Sequence, residues 1–236
     1  MSRLIPHRLQ PPRDRLLSEV KREVQAGRSQ SLHAAVQANL SQESSPADVS
    51  RCWDVEVKAG NRPSFQLPPK ADTAKVFDRT SGKLVILGAT GSGKTTTLLE
   101  LAQVLVSRAE KDASFPIPVL FELGTWKEQS GAIADWLIAQ LQFKYGISPA
   151  IGKKWLAEQK LLPLLDGLDE VETHRQNICI QAINQFVESE FKPKHLVVCS
   201  GFEAYKNCQS RFKLQAAVLK FTRTARLDSN CKPQFC

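Results

Sequence analysis

Three acidic side chains follow a run of leucines in the segment LLPLLDGLDEV, residues 161–171. Asp166 ends the apolar run, and Asp169 and Glu170 come within the next four residues. Unpaired carboxylates resist leaving water, so a buried strand does not ordinarily end in a group of acids. The pattern therefore points to a cationic or metal-containing partner that another part of the chain must supply.

A second motif that could bind a ligand is GATGSGKT, residues 88–95, which fits the phosphate-loop pattern G-x-x-x-x-G-K-[ST]. Its glycines let the backbone turn and direct successive N–H groups at phosphate oxygens, and the helix that follows attracts anions. Lys94 offers a positive charge to the β- and γ-phosphates, and the hydroxyl of Thr95 suits Mg²⁺. The candidate phosphate-binding residues are Gly88, Ala89, Thr90, Gly91, Ser92, Gly93, Lys94, Thr95 and Thr96.

The phosphate loop supplies the partner that the acids need. In a doubly wound sheet, ligands collect at the carboxyl ends of the strands. Asp166 ends an apolar run downstream of the loop, so it is predicted to hold Mg²⁺, through water, together with Thr95.

Five apolar runs separated by helical stretches must position these residues. Because the runs are continuously apolar rather than alternating, they predict a parallel sheet covered on both faces. The expected fold is α/β, with a mostly parallel five-stranded sheet between helices. Pro163 is expected near the beginning of its strand, where a missing N–H costs least. The runs are residues 83–88, 116–123, 161–166, 195–200 and 216–221.

The segment before the predicted sheet has a different sequence pattern. Residues 14–40 place apolar side chains at helical intervals, and Gly27 predicts a break into two short amphipathic helices. GNRPSFQLPPKAD is interpreted as an extended, Pro-rich linker. The predicted organisation is N-terminal helices and linker over 1–68, a nucleotide-binding domain over 69–222, and a disordered basic tail over 223–236.

The distribution of charge argues against a nucleic-acid partner. The net charge is +8, but residues 1–28 carry seven Lys/Arg against three acids and residues 206–236 carry seven against one. The excess therefore lies at the two ends rather than on one folded face. No stretch is long and apolar enough to span a bilayer, and the six cysteines show no metal-binding spacing. A cytoplasmic protein is expected.

With LVILGATGSGKTTTLLELA and LLPLLDGLDEV both present, the sequence resembles the NACHT branch of the STAND P-loop ATPases, and within it cyanobacterial proteins. The DGLDE form is distinctive, since Gly167 stands where many related ATPases place a catalytic glutamate. PIPVLFELGTWKE and HLVVCS are also similar to that family in order and spacing. The resemblance covers residues 12–220.

The resemblance implies a nucleotide-driven switch that holds ADP in a closed state, exchanges it for ATP, and assembles for signalling. It implies that the loop from Gly91 to Lys94 cradles the phosphates and that Thr95 and Asp166 serve Mg²⁺. Asp169 would polarise the attacking water, with Glu170 as the competing candidate.

Two departures from the family pattern change the expectation. The family usually has Ser–Arg after its fourth strand, the arginine contacting the γ-phosphate, whereas this chain has Ser200 followed by Gly201. Losing that cation predicts slow or impaired hydrolysis, and three arginines stay open as replacements. The chain also ends before the expected winged-helix and sensor regions, which predicts a truncated member. The candidate replacements are Arg211, Arg223 and Arg226.

The favoured function is a signalling domain that binds ATP or ADP with Mg²⁺ and that self-associates or binds other NACHT proteins. ATPase activity of the STAND class stays open at this point. One alternative is a P-loop small-molecule kinase, which phosphoryl transfer to nucleosides or nucleotides would reveal. The other is a non-enzymatic remnant whose N-terminal helices associate with full-length NACHT proteins.

Overall fold

A computed structural model describes residues 11–40, 53–59, 64–67, 73–127, 131–208 and 216–223. Seven helices lie in these ranges: α1 (Pro12–Leu40), α2 (Thr73–Arg79), α3 (Lys94–Lys111), α4 (Ile133–Tyr145), α5 (Pro149–Ala157), α6 (Thr173–Glu188) and α7 (Phe202–Cys208). The strands are β1 (Trp53–Ala59), β2 (Phe65–Leu67), β3 (Lys83–Gly88), β4 (Ile117–Glu122), β5 (Leu161–Asp166), β6 (Leu196–Ser200) and β7 (Ala217–Arg223).

All seven of these strands form one sheet in the order β2-β1-β7-β3-β6-β5-β4. The five strands from β3 to β7 pair in parallel, and β1 pairs antiparallel with both β2 and β7. The predicted α/β fold with a mostly parallel sheet is therefore confirmed. The predicted number of strands was too low, because five strands were expected and the described residues contain seven.

The central strands are buried along almost their whole length. In β3 only the first residue is partly exposed, and β6 is buried throughout. Helices on both faces remove these side chains from water, which is why the sequence carries continuous apolar runs there. Pro163 is the third residue of β5, and the pairing of β5 with β6 begins one residue later, at Leu164.

Of the two additional strands, β2 lies within the segment GNRPSFQLPPKAD that was interpreted as a linker, and β1 lies directly before that segment. β1 runs antiparallel to β7 over seven residue pairs, from Trp53 opposite Arg223 to Ala59 opposite Ala217. The pairing thus joins residues on both sides of the predicted boundary at residue 68, and that boundary stays a prediction. The predicted tail, apart from Arg223 at the end of β7, lies outside the described residues.

The prediction of two N-terminal helices separated at Gly27 was wrong, because α1 is one helix of 29 residues. The glycine has a packing role instead of breaking the helix. A Cβ atom at position 27 would lie 3.1 Å from Cδ1 of Leu99 on α3, so the missing side chain lets the two helices approach closely. In the part of the chain that is described, no helix is both long and apolar enough to cross a membrane.

Candidate functional site

The phosphate loop connects the end of β3 to the start of α3. Gly91 and Gly93 have φ angles of 75° and 86°, in the left-handed region that L-residues with side chains rarely adopt. Gly88 is needed for a different reason, since a Cβ atom there would lie 2.1 Å from the hydroxyl oxygen of Ser92. The N–H of Ser92 donates to the carbonyl of Ala89 at 3.1 Å and closes the turn. The glycine pattern therefore builds a tight loop before the helix.

Lys94 is the first residue of α3, and its side chain folds back over the loop. The ammonium group donates to the carbonyl oxygens of Gly88 at 3.0 Å and Ala89 at 3.2 Å. It also lies 3.5 Å from Oδ2 of Asp169, and only 10% of the lysine side chain is exposed. The predicted phosphate-binding cation and one of the predicted acids are thus in contact.

Asp166 is the last residue of β5 and lies beside Glu122, the last residue of β4. Burial raises the pKa of the Asp166 carboxyl, and the negative charge of Asp169 acts in the same direction. Hydrogen bonds from Thr95 and Cys199 lower that pKa in part, because both favour the charged carboxylate. The structure therefore brings together the two residues that were predicted to hold Mg²⁺.

The other two acids lie in a short 3₁₀ turn, Leu168–Glu170, and point in different directions. Gly167 enters this turn with a φ of 78°. Asp169 faces Lys94, and its other oxygen, Oδ1, is buried without a hydrogen-bond partner in the described structure. Glu170 is exposed, and partial burial together with the charges of Asp166 and Asp169 raises the pKa of its carboxyl.

Two features of this site were missed in the sequence. Cys199, interpreted only as a small core residue, is hydrogen-bonded to Asp166. Gly201, noted because it stands where the family usually has an arginine, lies against Asp169, since a Cβ atom at position 201 would lie only 3.0 Å from Oδ2. Both contacts depend on how β5 and β6 align, which no local motif reports. Of the arginines considered as replacements, Arg211 and Arg226 lie outside the described residues.

A metal would need ligands beyond these side chains. No group of three or more His, Cys, Asp and Glu among the described residues is arranged to hold a metal ion. Thr95 and Asp166 fit the oxygen preference of Mg²⁺, which commonly keeps several waters and binds phosphate oxygens as well. The donor set is consistent with an ion that arrives together with a nucleotide.

The class of protein follows from the place where these groups meet. The carboxyl ends of β3 and β5 bring Lys94 against Asp169 and Thr95 against Asp166, as in a P-loop NTPase. The NACHT domain model matches residues 83–220, more than half of the chain, including the loop and the acids. The chain belongs to the NACHT family, which makes it a nucleotide-binding NTPase domain. A comparison with curated proteins gives no match.

Proposed function

We propose that this chain binds ATP or ADP together with Mg²⁺ as a signalling domain and hydrolyses ATP slowly. The observation that carries the proposal is the position of Lys94, held at the turn by the carbonyls of Gly88 and Ala89 and paired with Asp169. A largely buried ammonium group beside a glycine-rich loop and a helix N-terminus is suited to bind the phosphates of a nucleotide.

The roles of the neighbouring residues follow from their chemistry. The backbone N–H groups between Gly88 and Thr96 would hold phosphate oxygens, and Lys94 would exchange its carbonyl partners for the β- and γ-phosphates. Thr95 and Asp166 would hold Mg²⁺, which neutralises charge on the phosphates when it is bound. The hydrogen bond between Thr95 and Asp166 supports this assignment, because it brings the two side chains to one place.

Asp169 is proposed to polarise the attacking water, with Glu170 as the second candidate. The contact between Asp169 and Lys94 supports this order, since a group near the phosphate-binding cation is near the reacting phosphate. Slow hydrolysis is proposed because position 201 offers no cation beside Asp169, and cations that neutralise developing charge commonly change the rate by orders of magnitude.

A titration with fluorescent ATP, ADP and GTP tests the binding proposal. Lys94→Ala should weaken binding of Mg–ADP by about 10- to 100-fold, because a hydrogen-bonded charge pair with phosphate is lost. Lys153→Ala, on the exposed surface of α5, is the matched control and should bind as the wild type does. Equal affinity of wild type and Lys94→Ala for all three nucleotides would contradict the proposal.

The signalling role and the association with other NACHT proteins are supported by membership of the family and by the sequence resemblance. The likeness to cyanobacterial members stays a prediction. Gel filtration of the chain with and without Mg–ATP examines self-association directly, and an unchanged elution volume in every nucleotide state would count against it.

A further inference from the structure

Gly201 has no side chain, and the carboxyl group of Asp169 lies in the space that a side chain there would fill. It follows Ser200, the last residue of β6, and is not among the glycines with positive φ, so its backbone conformation does not require glycine. A Cβ atom at position 201 would lie 3.0 Å from both Cβ and Oδ2 of Asp169 and 3.2 Å from Cγ. These separations are shorter than an ordinary contact between non-bonded carbon atoms. The backbone at position 201 would accept a side chain, but the space beside Asp169 would not.

The crowded atoms of Asp169 have little freedom to move away. Its Cβ atom is fixed to the backbone of the 3₁₀ turn, which Glu170 closes by donating its N–H to the carbonyl of Gly167 at 3.0 Å. Oδ2, the carboxylate atom nearest to position 201, is also the atom that pairs with Lys94 at 3.5 Å. A side chain at position 201 would thus displace the acid together with the oxygen that faces the cation.

We propose that Gly201 is a positioning residue that sets where the Asp169 carboxylate lies relative to Lys94. The proposal rests on the proposed function, in which Asp169 polarises the attacking water. Any side chain at position 201, including an arginine, would move that carboxylate, so a cation could not be added there without changing the geometry of the acid. Position 201 would control turnover without contacting the reacting atoms.

Gly124 provides a matched control beside the other acid. A Cβ atom at Gly124 would lie 3.4 Å from Cβ of Glu170 and 3.5 Å from its Oε2, which is ordinary contact. Like Gly201, Gly124 does not have a positive φ, so alanine suits its backbone. Gly201→Ala and Gly124→Ala therefore add the same methyl group next to the two candidate acids, with crowding at only one of them.

Single-turnover ATP hydrolysis by the full chain, with Mg–ADP affinity measured in parallel, tests the positioning role. Gly201→Ala should lower the hydrolysis rate roughly tenfold, because a small misplacement of a catalytic group is costly. It should change the affinity for Mg–ADP by less than about twofold. Added to Asp169→Ala, it should slow hydrolysis no further, and Gly124→Ala should match the wild type.

A stability cycle tests the contact itself and does not depend on turnover. Gly201→Ala should lower the thermal unfolding midpoint by roughly 2–8 °C, and by much less when Asp169→Gly has removed the crowded Cβ atom. If Gly201→Ala does not fold, the double variant should fold again.

Equal midpoint losses in both backgrounds, an unchanged rate in Gly201→Ala, or the absence of Asp169-dependent turnover would each overturn the proposal. Because nucleotide affinity is measured separately, wild-type binding of Mg–ADP with any of these outcomes would reject the role of Gly201 and leave the binding function intact. Failure of the wild type to bind nucleotide would reject the proposed function itself.

Discussion

At the scale of single residues, Asp166 shows how a partly buried carboxylate can be kept in one orientation. Burial raises the pKa of Asp166, and the hydrogen bonds from Thr95 and Cys199 oppose that rise. Cys199 is completely buried, and burial raises the pKa of its thiol well above the ordinary value. The thiol therefore keeps its proton and can donate to Asp166. The carboxylate thus has a donor on the neighbouring strand as well as one on α3.

Removing the thiol donor should therefore weaken the metal site. Cys199→Ala is expected to raise the Mg²⁺ concentration for half-maximal binding of fluorescent ADP by about tenfold, because groups that orient metal ligands commonly contribute that much. Cys199→Ser should stay close to the wild type, since a hydroxyl can also donate to Asp166. Cys179→Ala, at a buried cysteine on α6, is the control. The same Mg²⁺ requirement in all three variants would contradict this role.

The site could be predicted from the sequence only as far as its motifs are local. The loop residues from Gly88 to Thr95 and the acids that follow β5 each lie within one short segment, so their spacing is readable. The contacts of Cys199 with Asp166 and of Gly201 with Asp169 join β6 to β5 and its following turn. They depend on the alignment of two strands, which composition and spacing do not encode.

At the scale of elements, the strands that were predicted are those rich in apolar residues, most of them buried along nearly their whole length. β3, β4, β5 and β6 coincide with nearly continuous apolar runs and β7 with a mostly apolar one, whereas β1 alternates in the sequence WDVEVKA. Alternation is typical of an antiparallel strand with one covered face, and Val57 is indeed buried between the partly exposed Glu56 and the exposed Lys58. The alternation in β1 was thus a usable signal for a strand, although no strand was predicted there.

His195, just before β6, supports the turn that leads into β3. Its Nδ1 lies 3.2 Å from the carbonyl oxygen of Ser81, and its ring packs against the rings of Phe77 and Phe115. Ser81 and Gly82 both have positive φ angles, and a Cβ atom at Gly82 would lie 1.9 Å from the imidazole. The turn therefore needs glycine at position 82, where any side chain would collide with the imidazole.

This histidine should make stability depend on pH. Burial lowers the pKa of His195 from its ordinary value of 6.5, and Lys194 and Lys83 act in the same direction against Asp78 and the Ser81 carbonyl. The unfolded chain then binds the proton more readily, so the stabilisation is complete above pH 6.5 and is lost as the pH falls through the lowered pKa. Urea unfolding from about pH 7.5 to about pH 5 should show this loss.

The comparison that isolates His195 is the variant His195→Gln, which keeps an amide to face Ser81 but does not titrate. The carboxyl groups of Asp166 and Glu170 titrate in both proteins, so their contribution cancels in the difference. The free energy of unfolding should fall more steeply with acid in the wild type than in the variant. Parallel curves would show that the partly buried ring of His195 does not control this dependence.

At the scale of the whole molecule, α1 is joined to the nucleotide-binding core rather than held apart from it. Its apolar face is buried in the same core as α3, and the guanidinium of Arg13 donates to the carbonyls of Ala109 at 3.0 Å and Phe115 at 3.3 Å. Glu23 pairs with Lys144 at the end of α4. The buried face of α1 is formed by Leu16, Leu17, Val20 and Val24.

This packing bears on the alternative in which the N-terminal helices serve as a separate binding module. A helix that docks on partner proteins needs an accessible apolar face, whereas Leu16 and Val20 are 0% exposed against the rest of the chain. The helix that follows the phosphate loop is the one that α1 covers. We therefore expect that loosening α1 destabilises the nucleotide site.

Leu16→Ala tests this expectation by creating a cavity between α1 and the core. It should lower the free energy of unfolding by about 2–5 kcal/mol, the usual cost of such a cavity. The loss should appear in one transition, seen alike by far-ultraviolet circular dichroism and by the fluorescence of the buried Trp126, Trp136 and Trp155. Phe143→Ala, at a phenylalanine on α4 that is 86% exposed, is the control and should change the free energy by less than about 0.5 kcal/mol. An early loss of helix with unchanged tryptophan fluorescence would show instead that α1 unfolds independently, as a separate module would.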